Sequence, residues 1–166
     1  MSSLEVFILT YNRAAFLRES ITSVLASSYK DFTLTVVDNC STDDTEAVVK
    51  SFDDPRLKYV KHAENIGGIN NINSAIIMGS GDYIVLFHDD DKMTPSMLEE
   101  EYNFLEAHED VGCVSCTATD FHDDGSVDEY VSAFDGEYKI FRRRQLFDAY
   151  FAQGTHTVCP SIMYIS

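Results

Sequence analysis

Positive charge is scarce in this sequence: 12 lysines and arginines stand against 28 aspartates and glutamates, for a formal net charge of −16. So acidic a chain repels phosphate backbones and anionic lipid headgroups, which excludes non-specific binding to nucleic acid or to an acidic membrane surface. Long apolar runs are also missing, so no segment reads as a transmembrane helix. Met1-Ser2-Ser3-Leu4-Glu5 lacks the basic start of a secretory signal, and the expected location is cytoplasmic. Cysteine is sparse, and Cys40, Cys113, Cys116 and Cys159 form no disulfide framework. Cys113 and Cys116 make a CxxC, but no second pair completes a zinc site and no helix N-terminus activates a thiol. Buried structural cysteines are the expectation. Glycine-rich phosphate loops are absent as well. Where G-x-G-x-x-G belongs, after the first apolar run, the chain reads Thr10-Tyr11-Asn12-Arg13-Ala14-Ala15, and no P-loop occurs elsewhere. A diphosphate held at this edge would therefore need a bound cation rather than a backbone cradle.

What is present is a regular alternation. Leu4–Leu9 reads as a strand, and Phe16, Leu17, Ile21, Val24 and Leu25 then recur at helical spacing. Thr33–Val37 is a β-branched strand, and Ser41-Thr42-Asp43-Asp44 offers N-caps for a helix through Ala47, Val48 and Val49. Leu57–Val60 is a short strand, and Asn65-Ile66-Gly67-Gly68 turns into a helix running to Met78. Tyr83–Phe87 is the next strand, and Thr94-Pro95 opens a helix with proline at its first position. Glu99, Glu100 and Glu101 sit in its N-terminal half, where the helix dipole favours acids. Val111–Thr119 is a further strand candidate. The order implies an α/β fold, a mainly parallel sheet with helices on both faces, in a single domain spanning 1–166. Beyond Asp120 the pattern fades into a turn at Phe121–Gly125 between antiparallel strands, an amphipathic stretch from Arg142 to Phe151, and a terminal strand, Ser161–Ile165. The chain reads as ending in mid-fold, truncated at its C-terminus.

In open parallel sheets, ligands gather at the carboxyl ends of the strands. Three polar clusters fall at those ends: Thr10-Tyr11-Asn12-Arg13, Asp38-Asn39 and His88-Asp89-Asp90-Asp91. Three adjacent carboxylates repel one another and resist dehydration, which a divalent cation between them relieves, the alternative being an acidic N-cap cluster for the helix that Thr94-Pro95 opens. If the strand continues through them, Asp89 and Asp91 point one way and Asp90 the other, so that two carboxylates can share one metal.

These segments together resemble the family 2 glycosyltransferases of the GT-A fold, the Rossmann-like fold of nucleotide-diphospho-sugar transferases. Three motifs carry the resemblance: Ile8 through Arg13, Val36 through Thr45, and Gly81 through Asp91, with Asn65–Gly68 and Asn73 agreeing between them. Their order and spacing match from Leu4 to about Leu98. The resemblance implies a donor-nucleotide part over about 4–119 and the start of an acceptor-side region over about 120–166. It implies that Thr10, Tyr11 and Asn12 line the nucleotide site. Asp38, with Asn39 beside it, would accept a hydrogen bond from a base such as uracil, its alternative being a turn-capping aspartate before Ser41. Gly67 and Gly68 would allow close backbone approach, or merely form a helix-entry turn, and Asn73 would fix that loop. Asp89 or Asp90 would take the ribose side, with Asp91 and Asp89 holding Mn²⁺ or Mg²⁺. The sequence departs from the family's pattern at His88, where an acid is common, and at Ile72, where a basic residue is common.

The implied reaction is transfer of a sugar from a nucleotide-sugar donor, most simply a UDP-sugar, to a hydroxyl of a glycan or lipid-linked acceptor, with inversion, as in polysaccharide biosynthesis. The general base is expected beyond Ser166. Asp120, Asp123, Asp124 and Asp135 read as loop residues, so the chain alone should transfer poorly. Two alternatives compete: a non-catalytic nucleotide-sugar-binding module, and a DxD phosphatase with Asp89 as nucleophile, which would normally place that motif after the first strand.

Overall fold

A computed structural model describes residues 3–116, 119–122, 124–129 and 162–165. Four parallel strands form the centre. β1 (Leu4–Thr10) lies between β2 (Phe32–Asp38) and β4 (Tyr83–His88), and β3 (Leu57–Lys61) flanks β2. The strand order β3-β2-β1-β4-β8-β5 is completed by β8 (Ile162–Ile165) and β5 (Cys113–Ser115). β8 runs antiparallel to both of its neighbours, β4 and β5. The expected terminal strand is therefore an interior strand of the sheet, with Met163 fully buried. β6 (Thr119–Phe121) and β7 (Val127–Glu129) form the expected antiparallel pair, turning at Gly125 with φ 81°. The Arg142–Phe151 stretch lies outside the described residues.

Side chains on β1 divide by the two-residue period of a strand. Leu4, Val6 and Ile8 enter one core, with Leu34, Val36, Val85 and Phe87. Phe7 and Leu9 enter the other, with Val37 and Ile84. Helix α1 (Ala14–Leu25) contributes Leu17, Ile21 and Val24 to the larger core; α2 (Thr45–Lys50) adds Val48 and Val49, and α4 (Met97–Ala107) adds Leu98 and Leu105. Helix α3 (Gly68–Met78) covers the opposite face through Ala75 and Ile72. This two-sided burial explains why the central strands read as continuous apolar runs rather than alternating ones. None of the described helices is long and apolar enough to cross a membrane.

Two local expectations are corrected. Pro95 is not the first residue of α4; the helix begins at Met97 after Ser96, and the Pro95 carbonyl accepts bonds from Ser28 N at 2.7 Å and Ser28 Oγ at 3.1 Å. Those bonds tie the segment before α4 to the end of α1, which holds it out of the helix. Cys113 and Cys116 are exposed rather than buried, because β5 lies at the sheet edge. Glu101, in the N-terminal half of α4 as expected, is buried at 3% exposed.

Candidate functional site

Register places the site. Thr10 on β1 is paired with Asp38 on β2, and Asp38 with Lys61 on β3, at one row of the carboxyl edge. On the other side Leu9 pairs with His88, so the chain after β4 passes beside Thr10. The chain leaves β1 toward β2 on one side, while β4 joins on the other, which makes the gap between β1 and β4 the topological switch point.

Strand β4 stops at His88. Asp89 and Asp90 form a turn in which Asp91 N approaches His88 O at 3.4 Å, and Ser20 Oγ holds the same carbonyl at 3.1 Å. The strand alternation expected of the three acids is therefore replaced by a turn, and it is Asp89 and Asp90 that converge. Asp89 is 4% exposed; its Oδ2 accepts from Thr10 Oγ1 at 2.7 Å, and its Oδ1 faces Arg13 Nη1 at 3.4 Å. The same Arg13 nitrogen forms an ion pair with Asp90 Oδ2. Burial pushes the Asp89 carboxyl upward and outweighs Thr10 and Arg13, which act downward. Arg13 is raised in turn by Asp89 and then Asp90. Asp91 is half-buried.

The loop after β1 is locked to the loop after β2. Asn12 adopts φ 53°, a left-handed conformation that asparagine tolerates well. Its N–H donates to Ser41 Oγ at 2.8 Å, and its Oδ1 accepts from Thr42 N at 2.8 Å. Asp43 joins two helix starts, accepting from Ala14 N at 3.0 Å and Thr45 N at 3.1 Å. This leaves Tyr11 projecting, 44% exposed, beside the carboxyl edge.

Asp38 is fully buried, and its turn role is present: Oδ1 accepts from Ser41 N at 2.8 Å and Ser41 Oγ at 2.5 Å. Oδ2 accepts from Tyr59 OH at 2.5 Å, with Lys61 Nζ 4.0 Å away. Burial and this bond raise the Tyr59 hydroxyl pKa. Asn39 binds the next loop: its Nδ2 donates to Asn65 Oδ1 at 2.9 Å and its Oδ1 accepts from Ile66 N at 2.9 Å. Asn65 Oδ1 also receives Gly67 N at 2.9 Å. Gly67 has φ 82°, which an L residue rarely adopts, and the space where a Cβ would stand is open at both Gly67 and Gly68. Asn73 is exposed on α3. The residue that fixes this segment is Asn71, 4% exposed, with Nδ2 donating to Val37 O at 3.2 Å and Oδ1 3.1 Å from His62 Nε2.

Sequence reading placed Arg13 in a polar cluster without giving it a role, and missed Tyr59, Lys61 and Asn71. Asn71 had a signal, since it lies one helical turn before the buried Ala75. The other three act through partners far away in sequence. Among the described residues no three of His, Cys, Asp and Glu are gathered as a ready-made metal centre. Two converging carboxylates bridged by the Arg13 cation nevertheless form an all-oxygen donor set that already holds positive charge. Such a set suits Mg²⁺ or Mn²⁺ bound through one or two carboxylates plus substrate phosphates. Asp124 is a turn residue as expected, accepting from Ser126 N at 2.9 Å.

An open parallel sheet with its polar groups at the switch point, and acids facing a hydroxyl and a guanidinium there, defines the nucleotide-binding α/β class. The model of glycosyl transferase family 2 matches residues 5–165, and the chain belongs to that family. An uncharacterized glycosyltransferase of Methanocaldococcus jannaschii is 28% identical over 162 residues, covering 95% of this chain and 54% of that protein. A GalNAc(5)-diNAcBac-PP-undecaprenol beta-1,3-glucosyltransferase of Campylobacter jejuni is 34% identical over 101 residues, covering 59% of this chain and 33% of that protein. The chain thus spans roughly a third to a half of these relatives. Among solved structures, a mannosyltransferase of Pyrobaculum calidifontis in complex with GDP-Man and Mn²⁺ superposes with TM-score 0.64 at 27% identity, covering 69% of this chain and 35% of that one. S. aureus TarS 1-349 superposes with TM-score 0.72 at 20% identity over 98% of this chain and 47% of that one, which establishes the shared GT-A fold.

Proposed function

We propose that this chain carries the donor site of an inverting glycosyltransferase that moves a sugar from a nucleoside-diphosphate donor, with uridine as the base, to an acceptor hydroxyl. The observation that carries the reading is the buried Thr10–Asp89 bond with Arg13 bridging Asp89 and Asp90 at the switch point. Tyr11 offers an exposed ring to a base, and Asn12 and Asn39 hold the two loops that frame it. A carboxylate has about four lone-pair directions. Asp38 uses three within the protein and is fully buried, so a base N–H would reach the fourth only where Tyr59 or Lys61 gave way. Uracil presents that donor at N3 and cytosine does not. Gly67 and Gly68, with open space at their Cβ positions, would let the nucleotide approach the backbone, and Asn73 faces outward on the same helix.

Asp89 or Asp90 would meet the ribose, and Asp91 with Asp89 would hold Mn²⁺ or Mg²⁺. The cation would supply charge neutralisation of the departing diphosphate. The protein's own part is to keep Asp89 oriented through Thr10 and to exclude water from it. The Pyrobaculum relative's complex with GDP-Man and Mn²⁺ supports a nucleotide sugar and a divalent ion in general. The Campylobacter relative's name supports a lipid-linked or glycan acceptor, as in polysaccharide assembly. Free thiols at Cys40, Cys113 and Cys116 suit a reducing, cytoplasmic compartment.

The test is titration calorimetry of the chain with UDP, GDP and CDP, each with and without Mn²⁺. UDP binding that needs metal, and is lost in Asp91→Ala, is the expected result. GDP binding in preference to UDP would move the base assignment, and no nucleotide binding in any condition would overturn the donor site.

A further inference from the structure

Arg13 is the one cation paired with the acidic turn among the described ion pairs, and it does so with a single nitrogen. Nη1 serves both Asp89 Oδ1 and Asp90 Oδ2. The other guanidinium donors, Nε and Nη2, make no hydrogen bond among the described residues, and the side chain is 51% exposed. A planar guanidinium presents donors in a fork that matches two phosphate oxygens. Arg13 therefore has one edge on the carboxylates and its other donors without partners among the described residues.

Charge makes these two edges compete. With Arg13 in place, the Asp89–Asp90 pair carries one net negative charge in place of two, and a bare divalent ion held by Asp89 and Asp91 must displace the guanidinium to use Asp89 Oδ1. A diphosphate arriving with the ion offers the guanidinium a new anionic partner, so its release costs little. We infer that Arg13 is a positioning residue that shields the acidic turn from free metal and transfers to the diphosphate when the donor binds, making metal and nucleotide binding mutually dependent. The inference rests on the donor-site reading above. By linkage, whatever factor the nucleotide adds to metal affinity, the metal adds to nucleotide affinity.

The experiment measures Mn²⁺ binding to the chain by electron paramagnetic resonance, alone and with UDP or GDP present, in the wild type, Arg13→Gln and Arg13→Lys. The wild type should bind Mn²⁺ weakly alone and at least tenfold more tightly with nucleotide. Arg13→Gln should bind Mn²⁺ alone about tenfold more tightly than the wild type, and the nucleotide's enhancement should shrink by a similar factor. Arg13→Lys keeps the charge without the fork, and should retain the shielding while losing part of the nucleotide's enhancement. Normal nucleotide–Mn²⁺ binding in the wild type, with unchanged metal affinity and undiminished coupling in Arg13→Gln, overturns this inference alone. Failure of the wild type to bind either nucleotide overturns the donor site, and this inference with it.

Discussion

Thr10 Oγ1 donates to Asp89 Oδ2 across 2.7 Å, joining the carboxyl ends of two neighbouring parallel strands that lie 79 residues apart in sequence. The bond fixes the buried member of the acidic turn against the loop that carries Tyr11, Asn12 and Arg13.

Replacing this threonine with valine keeps the shape and removes the donor. A buried acceptor deprived of a partner costs about 1–3 kcal/mol. Urea unfolding of Thr10→Val should show a loss in that range, and Thr10→Ser should recover most of it. Equal stability of Thr10→Val and the wild type would show that the bond contributes nothing.

Gly67 has φ 82° with nothing near its Cβ position, so alanine there meets backbone strain and no steric clash. With ψ 155° Gly67 sits in a region that essentially only glycine enters, at a cost to any other residue of about 1–3 kcal/mol. Thermal melting should register that loss for Gly67→Ala, whereas Gly68→Ala, at the first residue of α3 with open space at its Cβ, should leave the melting temperature unchanged or raise it.

Removal of Asn71 should damage the α3 entry more than removal of Asn73. Asn71 is buried and bonds Val37 O and His62, while Asn73 is exposed. Asn71→Ala should cost about 1–3 kcal/mol, from the lost bonds to Val37 O and His62. Asn73→Ala should fall within about 0.5 kcal/mol of the wild type, as surface changes usually do. Equal losses in the two variants would refute this division of roles.

Glu101 predicts a pH effect unrelated to the site. Among the described residues neither carboxylate oxygen makes a hydrogen bond of good geometry, and burial, with a smaller push from Glu100, raises its pKa from 4.5 to about 8. The nearby Cys116 acts weakly downward. The folded state thus binds more protons than the unfolded state between pH 4.5 and about 8, and stability falls as pH rises through that window. The full shift corresponds to about 5 kcal/mol at most. Denaturation at pH 5 and pH 8 should show a drop of a few kcal/mol in the wild type, largely absent in Glu101→Gln. A parallel drop in both would place the pH dependence elsewhere.

The alternation of strands and helices was readable because β1, β2 and β4 bury both faces, so each appears as an apolar run bounded by polar residues. The three polar clusters were readable for the same reason, since each follows such a run directly. Where the strand gives way to the turn was not. Whether Asp89 continues β4 depends on the His88 carbonyl bonding to Asp91 and Ser20, which no periodicity encodes. Pro95 was misjudged because its carbonyl is held by Ser28, 67 residues away. The exposure of Cys113 and Cys116 followed from an edge position that only the strand order reveals. Arg13 stands next to Asn12 in a recognisable motif, but its meaning comes from acids 76 and 77 positions later.

The placement of β8 has a consequence for how the protein comes into being. Tyr83 through Leu86 are laddered to Ile162 through Ile165, so the flank of β4 away from β1 stays an open edge during synthesis until those late residues have emerged. Early-made segments can settle around β1 well before then, through local contacts of low sequence separation. The acid-bearing turn, at the tip of β4, is consequently framed on the β1 side before it is framed on the β8 side.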